Sequence, residues 1–192
     1  MMRRSKWWIG CGVALLACGL ILLLATHIAE VVGQQKAAEL AARLQQRLPT
    51  ATVGVQDTYS SMAMPALEVD GENVIGLLEI PSHGVTLPIG SAWDTWKLIS
   101  YPQRFSGTVY DGSLIIGGRD SVGQLECLKV VDIGDEIVVT DMTGARFTYA
   151  VESVQRSSSA AASVLDEGDA DLTLFVRAAY GTEYVIVRCQ QQ

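Results

Sequence analysis

The chain has 192 residues, of which 49% are hydrophobic and 18% are charged, with 18 glycines, 5 prolines and 4 cysteines. This composition excludes a disordered acidic tail, a collagen-like repeat and a small disulfide-stapled domain. The net charge is −7. Residues 1–48 hold six basic and two acidic residues, whereas residues 49–192 hold eight basic and nineteen acidic residues. An acidic body lacks the basic face that displaces counterions from nucleic acid, so we expect no nucleic-acid partner.

The amino terminus has the pattern of a membrane anchor. A basic segment, 1–8, precedes 20 residues without formal charge, 9–28. As a helix this stretch spans about 30 Å, the thickness of the hydrocarbon core of a bilayer. Trp7 and Trp8 stand where interfacial aromatic side chains are found. The positive-inside rule predicts that 1–8 is a cytoplasmic tail, that 9–28 crosses the cell membrane once, and that the remainder is extracellular.

A cleaved signal peptide is the alternative to a retained anchor. Its apolar region is usually only about 7–15 residues long and ends in small residues. The stretch here is longer and has no obvious cleavage site, which favours retention. Cys18 ends a segment that faintly resembles a lipobox, in which the thiol would carry lipid. Because apolar residues continue beyond it, we interpret Cys11 and Cys18 as small apolar residues of the helix, and His27 as a polar residue at its outer end.

Residues 29–48 are rich in good helix formers and are predicted to form a juxtamembrane helical stalk. Leu40, Leu44 and Leu48 recur every four residues and give this stalk one narrow apolar stripe. Residues 49–70 show no sustained period and are predicted to be a linker.

From residue 71 the pattern changes to short β-rich runs separated by Gly, Asp and Pro. We predict one extracellular domain over 71–192, mainly β, with seven strands and short helical turns near 92–100 and 122–131, arranged as a mixed-to-antiparallel barrel. The predicted strands are 74–80, 85–90, 112–118, 136–141, 145–154, 172–178 and 183–189.

Few residues of this domain carry obvious chemistry. His83 has no acid or thiol near it in sequence, and Cys127 and Cys189 have no spacing that indicates whether they are bonded. The acidic cluster at 166–171 lacks the ligand spacing of a calcium loop, so it is interpreted as a solvated connection. We therefore predict no metal site and no cofactor.

The order of four segments resembles the sortase family. Segment 74–89 (VIGLLEIPSHGVTLPI) is similar to its Ile-Gly-x-Leu-x-Ile-Pro opening, and 111–120 (DGSLIIGGRD) to its Gly-Asn-x-x-Ile-x-Gly-His-Arg motif. Segment 125–154 is similar to its Leu-x-x-Leu-x-x-Gly-Asp-x-Ile stretch, and 171–189 to its Leu-x-Thr-Leu-x-Thr-Cys segment and closing strand. The resemblance implies a closed barrel of seven to eight strands after one transmembrane helix, on a Gram-positive-type bacterium with an exposed cell wall.

Sortases are cysteine transpeptidases that use a Cys, a His and an Arg, and the resemblance carries these positions onto Arg177, Gly118 and Tyr184. Arg177 is permanently protonated and cannot act as a nucleophile. Gly118 has no side chain to transfer a proton, and Tyr184 could donate one hydrogen bond but carries no positive charge. None of the three family residues is present, so we expect no intact catalytic site.

The resemblance therefore implies a membrane-anchored, surface-exposed sortase-like protein that acts as a peptide-binding module, or as an accessory or scaffold module, without transpeptidase activity. Arg119, Arg177 and Tyr184 are the candidates for its ligand groove. A sorting-signal peptide, a pilin or a catalytic sortase is the expected partner. The alternative is an active sortase that attaches surface proteins or pilins to the cell wall.

Overall fold

The computed structural model describes residues 3–48, 63–165, 169–178 and 182–192. Within the first of these ranges, side chains are described at residues 15–25, at residue 28 and from residue 31 onward. The predicted roles of Trp7, Trp8, Cys11 and His27 lie outside the described side chains, and most of the predicted linker lies outside the described residues.

One helix, α1 (Arg3–Arg47), runs through both the predicted anchor and the predicted stalk. Between Leu15 and Leu24, seven large apolar side chains are 53% to 77% exposed. Among the described residues, no helix combines the length and the apolar character that a membrane crossing requires.

The second half of α1 packs on the barrel and shares its core. Ala37, Leu40, Ala41 and Leu44 are buried in the main apolar cluster, and Leu48 packs against it. The stripe predicted for a separate stalk is therefore the face by which the helix contacts the domain, because a continuous row of leucines is buried most readily against an existing apolar surface.

Polar contacts fix the same helix to the start of the sheet. The half-exposed Lys36 and Lys97 each donate to the Glu72 carboxylate, at 2.5 and 2.7 Å, and the Tyr101 hydroxyl donates to it at 2.7 Å. Burial by itself raises the pKa of Glu72, but these three hydrogen bonds outweigh it and lower the pKa to about 2. Arg43 adds an ion pair to Asp70 at 2.8 Å.

Apart from α1, the described residues form nine strands and four short helical segments. The strands are β1 (Leu67–Val69), β2 (Glu72–Ile80), β3 (Val85–Gly90), β4 (Gln103–Ser106), β5 (Leu114–Arg119), β6 (Glu136–Asp141), β7 (Arg146–Ser157), β8 (Leu172–Arg177) and β9 (Tyr184–Gln191). The helical segments are the 3₁₀ turns Pro81–His83, Lys97–Ile99 and Glu126–Lys129, and the single α-helical turn α2 (Ala162–Leu165).

Eight of these strands form a closed ring in the order β2-β3-β4-β5-β8-β9-β7-β6, and pairing of β6 with β2 closes it. The pairs β3–β4 and β5–β8 are parallel and the others are antiparallel. The predicted mainly β, closed barrel of seven to eight strands with short helices is confirmed.

Two strands were not predicted. Strand β1 pairs with the beginning of β2 and occupies the end of the segment that we predicted as a linker. Strand β4 has the sequence Gln-Arg-Phe-Ser and is only four residues long. Neither strand shows a clear alternation of apolar and polar residues, because each is too short for this pattern to be recognised. Their pairing with longer neighbours, rather than their own sequence, defines them.

Strands β5, β8 and β9 separate two apolar clusters, one on each face. Inside the barrel lie Leu114, Ile116, Leu174 and Val176 with the rest of the main core. On the outer face lies a second cluster formed by the buried residues Ile115, Leu165, Phe175 and Ile186. Alternate residues of a strand point to opposite faces, so residues 115, 117 and 119 of β5 share the outer face with 173, 175 and 177 of β8.

Candidate functional site: a groove on the outer face of the barrel

The three predicted groove residues lie side by side across three strands. Arg119, the last residue of β5, pairs with Arg177, the last residue of the parallel strand β8. Arg177 in turn pairs with Tyr184, the first residue of the antiparallel strand β9. Paired residues of neighbouring strands project to the same face. The structure therefore brings the two guanidinium groups and the phenol to one end of the outer face.

Gly118 belongs to the opposite face. It pairs with Val176, whose side chain is in the barrel core. A Cβ atom at residue 118 would lie 2.7 Å from Cδ1 of Leu125, which is fully buried. Thus Gly118, which we assigned to the position of the family histidine, does not face the groove, and the β5 residue beside Arg177 is Arg119.

An aromatic cluster covers the outer face next to Arg119. Trp93 stacks on Phe175 with ring centroids 5.7 Å apart, and Phe105 meets both rings edge to face. A Cβ atom at Gly117 would lie 2.5 Å from Trp93 and 2.6 Å from Phe175. The absence of a side chain at residue 117 thus allows the rings to lie directly on β5, and they form an apolar floor beside the arginines.

The segment between β7 and β8 covers part of the same face. Leu165 of α2 is buried in the outer cluster, and Val164 packs against it. Arg188 of β9 is only 5% exposed and donates a hydrogen bond of 2.7 Å to the carbonyl oxygen of Val164. This bond holds α2 over the outer face of the strands, so Arg188 positions the segment that covers part of this face.

The charge at the end of the groove is positive. Arg177 is exposed and Arg119 is partly buried. Among the described residues, no carboxylate forms an ion pair with either guanidinium group. Like charges at directly paired positions repel one another. A planar guanidinium is suited to forked hydrogen bonding of a carboxylate, so this pair can hold an anionic group.

The described cysteines do not supply a nucleophile to this groove. Cys189 is fully buried in the barrel core, and burial raises the pKa of its thiol to about 12. Cys127 is 7% exposed, and burial raises its pKa as well. Both thiols are therefore protonated at neutral pH and enclosed by apolar side chains. Neither is bonded in a disulfide.

His83 lies away from the groove, in the turn after β2. Its Nδ1 atom is 2.9 Å from the Ser82 hydroxyl and 4.0 Å from a carboxylate oxygen of Asp135. The negative charge of Asp135 also raises the pKa of Cys127, which is the opposite of what nucleophilic activation requires. We therefore interpret His83 as a structural residue of this turn.

Metal ligation has no candidate in the part of the chain that the structure describes, where no group of three or more His, Cys, Asp or Glu residues could hold an ion. Residues 166–168 of the acidic cluster lie outside the described residues. Asp171 is described, and it accepts a hydrogen bond from the backbone of Gln191 at 2.8 Å.

Several residues of the groove were missed by sequence reading. Trp93, Phe105 and Phe175 come from three separate segments, and Arg188 is four residues after Tyr184 in a strand that reads as core. The pair of glycines before Arg119 was the available signal, because a glycine inside a strand marks the close approach of another group.

Several sortases are among the solved structures that resemble this fold. Sortase A from Corynebacterium diphtheriae superimposes with a TM-score of 0.57 and 18% identity, over 85% of this chain and 84% of that one. Sortase A of Listeria monocytogenes gives a TM-score of 0.54 and 18% identity, over 62% and 87%. Sortase C2 of Pilus Island 1 of group B Streptococcus gives 0.54 and 18%, over 83% and 97%.

The chain therefore has the sortase fold, as the resemblance of its sequence segments predicted. The sequence matches no protein-family model and no curated protein. At these identities the likeness defines the fold and not the activity.

Proposed function

We propose that this protein is a surface-exposed sortase-fold module that binds an anionic peptide segment in its groove without cleaving it. The observation that carries the proposal is the direct pairing of Arg119 with Arg177 at the end of the outer face. Two permanent positive charges stand there on a chain with a net charge of −7. This arrangement attracts a carboxylate and offers it up to two forked contacts.

The chemistry of the groove supports binding rather than transpeptidation. Acyl transfer requires a nucleophile that can lose its proton, a general acid and a group that stabilises the oxyanion. The row across β5, β8 and β9 offers Arg119, Arg177 and Tyr184 instead. The aromatic floor next to this row supplies apolar contact for a peptide side chain, as ligand sites usually combine apolar walls with a few polar groups.

We further propose that α1 anchors the protein in the cell membrane, with residues 1–8 cytoplasmic and the barrel outside a Gram-positive-type cell. The support is the uncharged stretch 9–28 together with the exposed apolar side chains between Leu15 and Leu24. A helix with leucines exposed on all sides must bury them in an apolar environment, and the hydrocarbon core of a bilayer is such an environment. The peptide ligand would then belong to a sorting signal, a pilin or a catalytic sortase at the cell surface.

Binding can be measured on the full chain in detergent micelles with a fluorescent sorting-signal peptide, made once with a free carboxyl terminus and once as its amide. We expect tighter binding of the carboxylate form and a loss of about tenfold in affinity for Arg177→Ala, because a charge-assisted hydrogen bond contributes roughly 1.5–3 kcal/mol. Arg146→Ala is the matched control, since Arg146 is a half-exposed arginine of β7 that pairs with Glu79 at 3.5 Å. Equal binding by wild type and Arg177→Ala would contradict the proposal.

The fold likeness to sortases favours one second candidate, an active cysteine transpeptidase. It makes a distinct prediction: incubation with a sorting-signal peptide and an amine acceptor would leave an acyl group on a cysteine. We expect intact-mass spectrometry to find no adduct on Cys127 or Cys189, because both thiols are buried and protonated. A thioester on either residue would establish the second candidate in place of the first.

A further inference from the structure

Three apolar side chains are exposed at the place where α1 leaves the barrel. Trp96 is 82% exposed, Val122 is 65% exposed and Ile99 is 37% exposed. We call these residues the interfacial patch. A tryptophan with most of its surface in water is unusual, because burial of its large apolar ring is favourable.

Backbone contacts place the patch at one level of the helix. The carbonyl oxygen of Ile99 lies against Gly33, where an added Cβ atom would approach it to 2.9 Å. The Gln34 side chain donates to the carbonyl oxygen of Val122 at 2.6 Å. Ile99 and Val122 therefore lie beside α1 at residues 33–34, and Trp96 directly precedes the 3₁₀ turn that contains Ile99.

One buried side chain ties the two segments of the patch together. Gln124, only 3% exposed, donates to the carbonyl oxygens of Leu98 and Ile99, each at 3.0 Å. Its own oxygen accepts from the backbone N–H of Arg119 at 3.2 Å. The patch and the arginine end of the groove are thus parts of one hydrogen-bonded unit.

The distance from the patch to the apolar stretch matches the thickness of a headgroup layer. The uncharged stretch ends at Ile28, five residues before Gly33. At 1.5 Å per residue this separation is about 8 Å along the helix axis. The polar layer on each side of a bilayer is roughly 5–8 Å thick, the difference between its full and hydrocarbon thicknesses. Tryptophan is the side chain that concentrates in this layer, because it combines an apolar ring with an N–H donor.

We propose that the interfacial patch lies in the lipid headgroup layer of the same bilayer that α1 enters, so that the barrel rests on the membrane with the Arg119–Arg177 end of its groove close to the lipid surface. This inference depends on the proposed anchoring by α1. It restricts the groove to ligands that approach along the membrane, such as a peptide still attached to its own anchor.

The experiment uses the full chain in vesicles of phosphatidylcholine and phosphatidylglycerol, with Trp7→Phe and Trp8→Phe as the background. Quenching of tryptophan emission by phosphatidylcholine brominated near the headgroup is compared with quenching by lipid brominated near the chain ends. We expect Trp96 to be quenched more strongly by the shallow bromines. The substitution Trp96→Phe should remove this component, leaving the emission of Trp93, which packs in the aromatic cluster.

The control moves the indole away from the membrane. Gln46→Trp combined with Trp96→Phe places it at an exposed position of α1, 13 residues beyond Gly33 and so about 20 Å farther along the helix. Bromolipids should not quench it. Flotation of the vesicles separates the two proposals. A chain that does not float refutes the anchoring and the inference together. If the chain floats but bromolipids do not quench Trp96, the inference alone is refuted. A protein partner that covered the patch would give this same result.

Discussion

Arg119 and Arg177 end two parallel neighbouring strands in direct register, and their side chains leave the sheet on the same face. Both side chains carry guanidinium cations. We expect this pair of like charges to cost some stability in the free protein, and an anion bound between them would offset that cost. The predictions that follow test this arrangement and the packing that supports it.

The face assignment of β5 predicts opposite outcomes for two histidine substitutions. Gly118→His should destabilise the protein by about 1–3 kcal/mol, because the new side chain meets the buried Leu125 and overpacks the core. Arg119→His should not destabilise the protein, because residue 119 lies on the outer face and the change removes the like-charge repulsion with Arg177. Thermal and denaturant unfolding of both variants measures the difference. A tolerated histidine at residue 118 would mean that the faces are reversed.

Repulsion between the paired arginines predicts a gain in stability when one of them is neutralised. Arg119→Gln should raise the free energy of unfolding by about 0.2–1 kcal/mol, the size of a cross-strand charge effect, and should weaken binding of the carboxylate peptide. A double-mutant cycle with Arg177→Gln isolates the repulsion energy between the two arginines. Once one arginine has been neutralised, the second substitution should add little to the free energy of unfolding. High salt should reduce the gain. A loss of stability in Arg119→Gln would indicate that the pair holds an acid of the protein itself.

The low pKa of Glu72 predicts an acid-dependent loss of stability. Its pKa in the folded protein is about 2, against an ordinary value of 4.5. A lowered pKa means that the contribution of this carboxylate is complete above pH 4.5 and disappears as the pH falls toward 2. Glu72→Gln should cost about 1–2 kcal/mol at neutral pH, a value reduced for the solvent exposure of the two lysines.

The measurement is the stability difference between wild type and Glu72→Gln from pH 7 to pH 2.5. The difference should shrink steadily below pH 4.5, because the wild-type carboxylate takes up a proton on unfolding in this range. Glu68→Gln is the control, since Glu68 is an exposed residue of β1 and is not among the partners of Lys36 or Lys97. A difference that does not change with pH would show that the two lysines do not stabilise the charge of Glu72.

Packing of α1 on the barrel predicts that the helix is needed for the stability of the domain. Leu44 is fully buried in the main core. Leu44→Ala should therefore destabilise the barrel by about 2–5 kcal/mol, the usual cost of removing a buried leucine side chain. Leu20→Ala is the matched control, because Leu20 belongs to the same helix and is 62% exposed. If both variants unfold alike in micelles, the helix is not part of the folded unit.

Sequence reading identified the long strands well and the short ones poorly. Strand β6 was predicted with the bounds that the structure shows, because its apolar run ends at Asp141, which accepts hydrogen bonds from the backbone of Thr143 and Ala145 in the turn to β7. Strands β1 and β4 were missed, since pairing with a neighbour defines them. Leu40 and Leu44 were recognised as a stripe, but their partner surface lies in distant segments and could not be read.

The order of apolar runs and turn residues along the chain by itself determined a mainly β barrel, since this depends on residue type and local period. The resemblance of four segments to the sortase family added that the barrel is closed. Only the tertiary structure decided which side chains meet. It paired Arg119 with Arg177, turned Gly118 inward and brought Trp93 over Gly117. The physical reason is that a shift of one residue in strand register reverses every side chain, and register is set by partners that are distant in sequence.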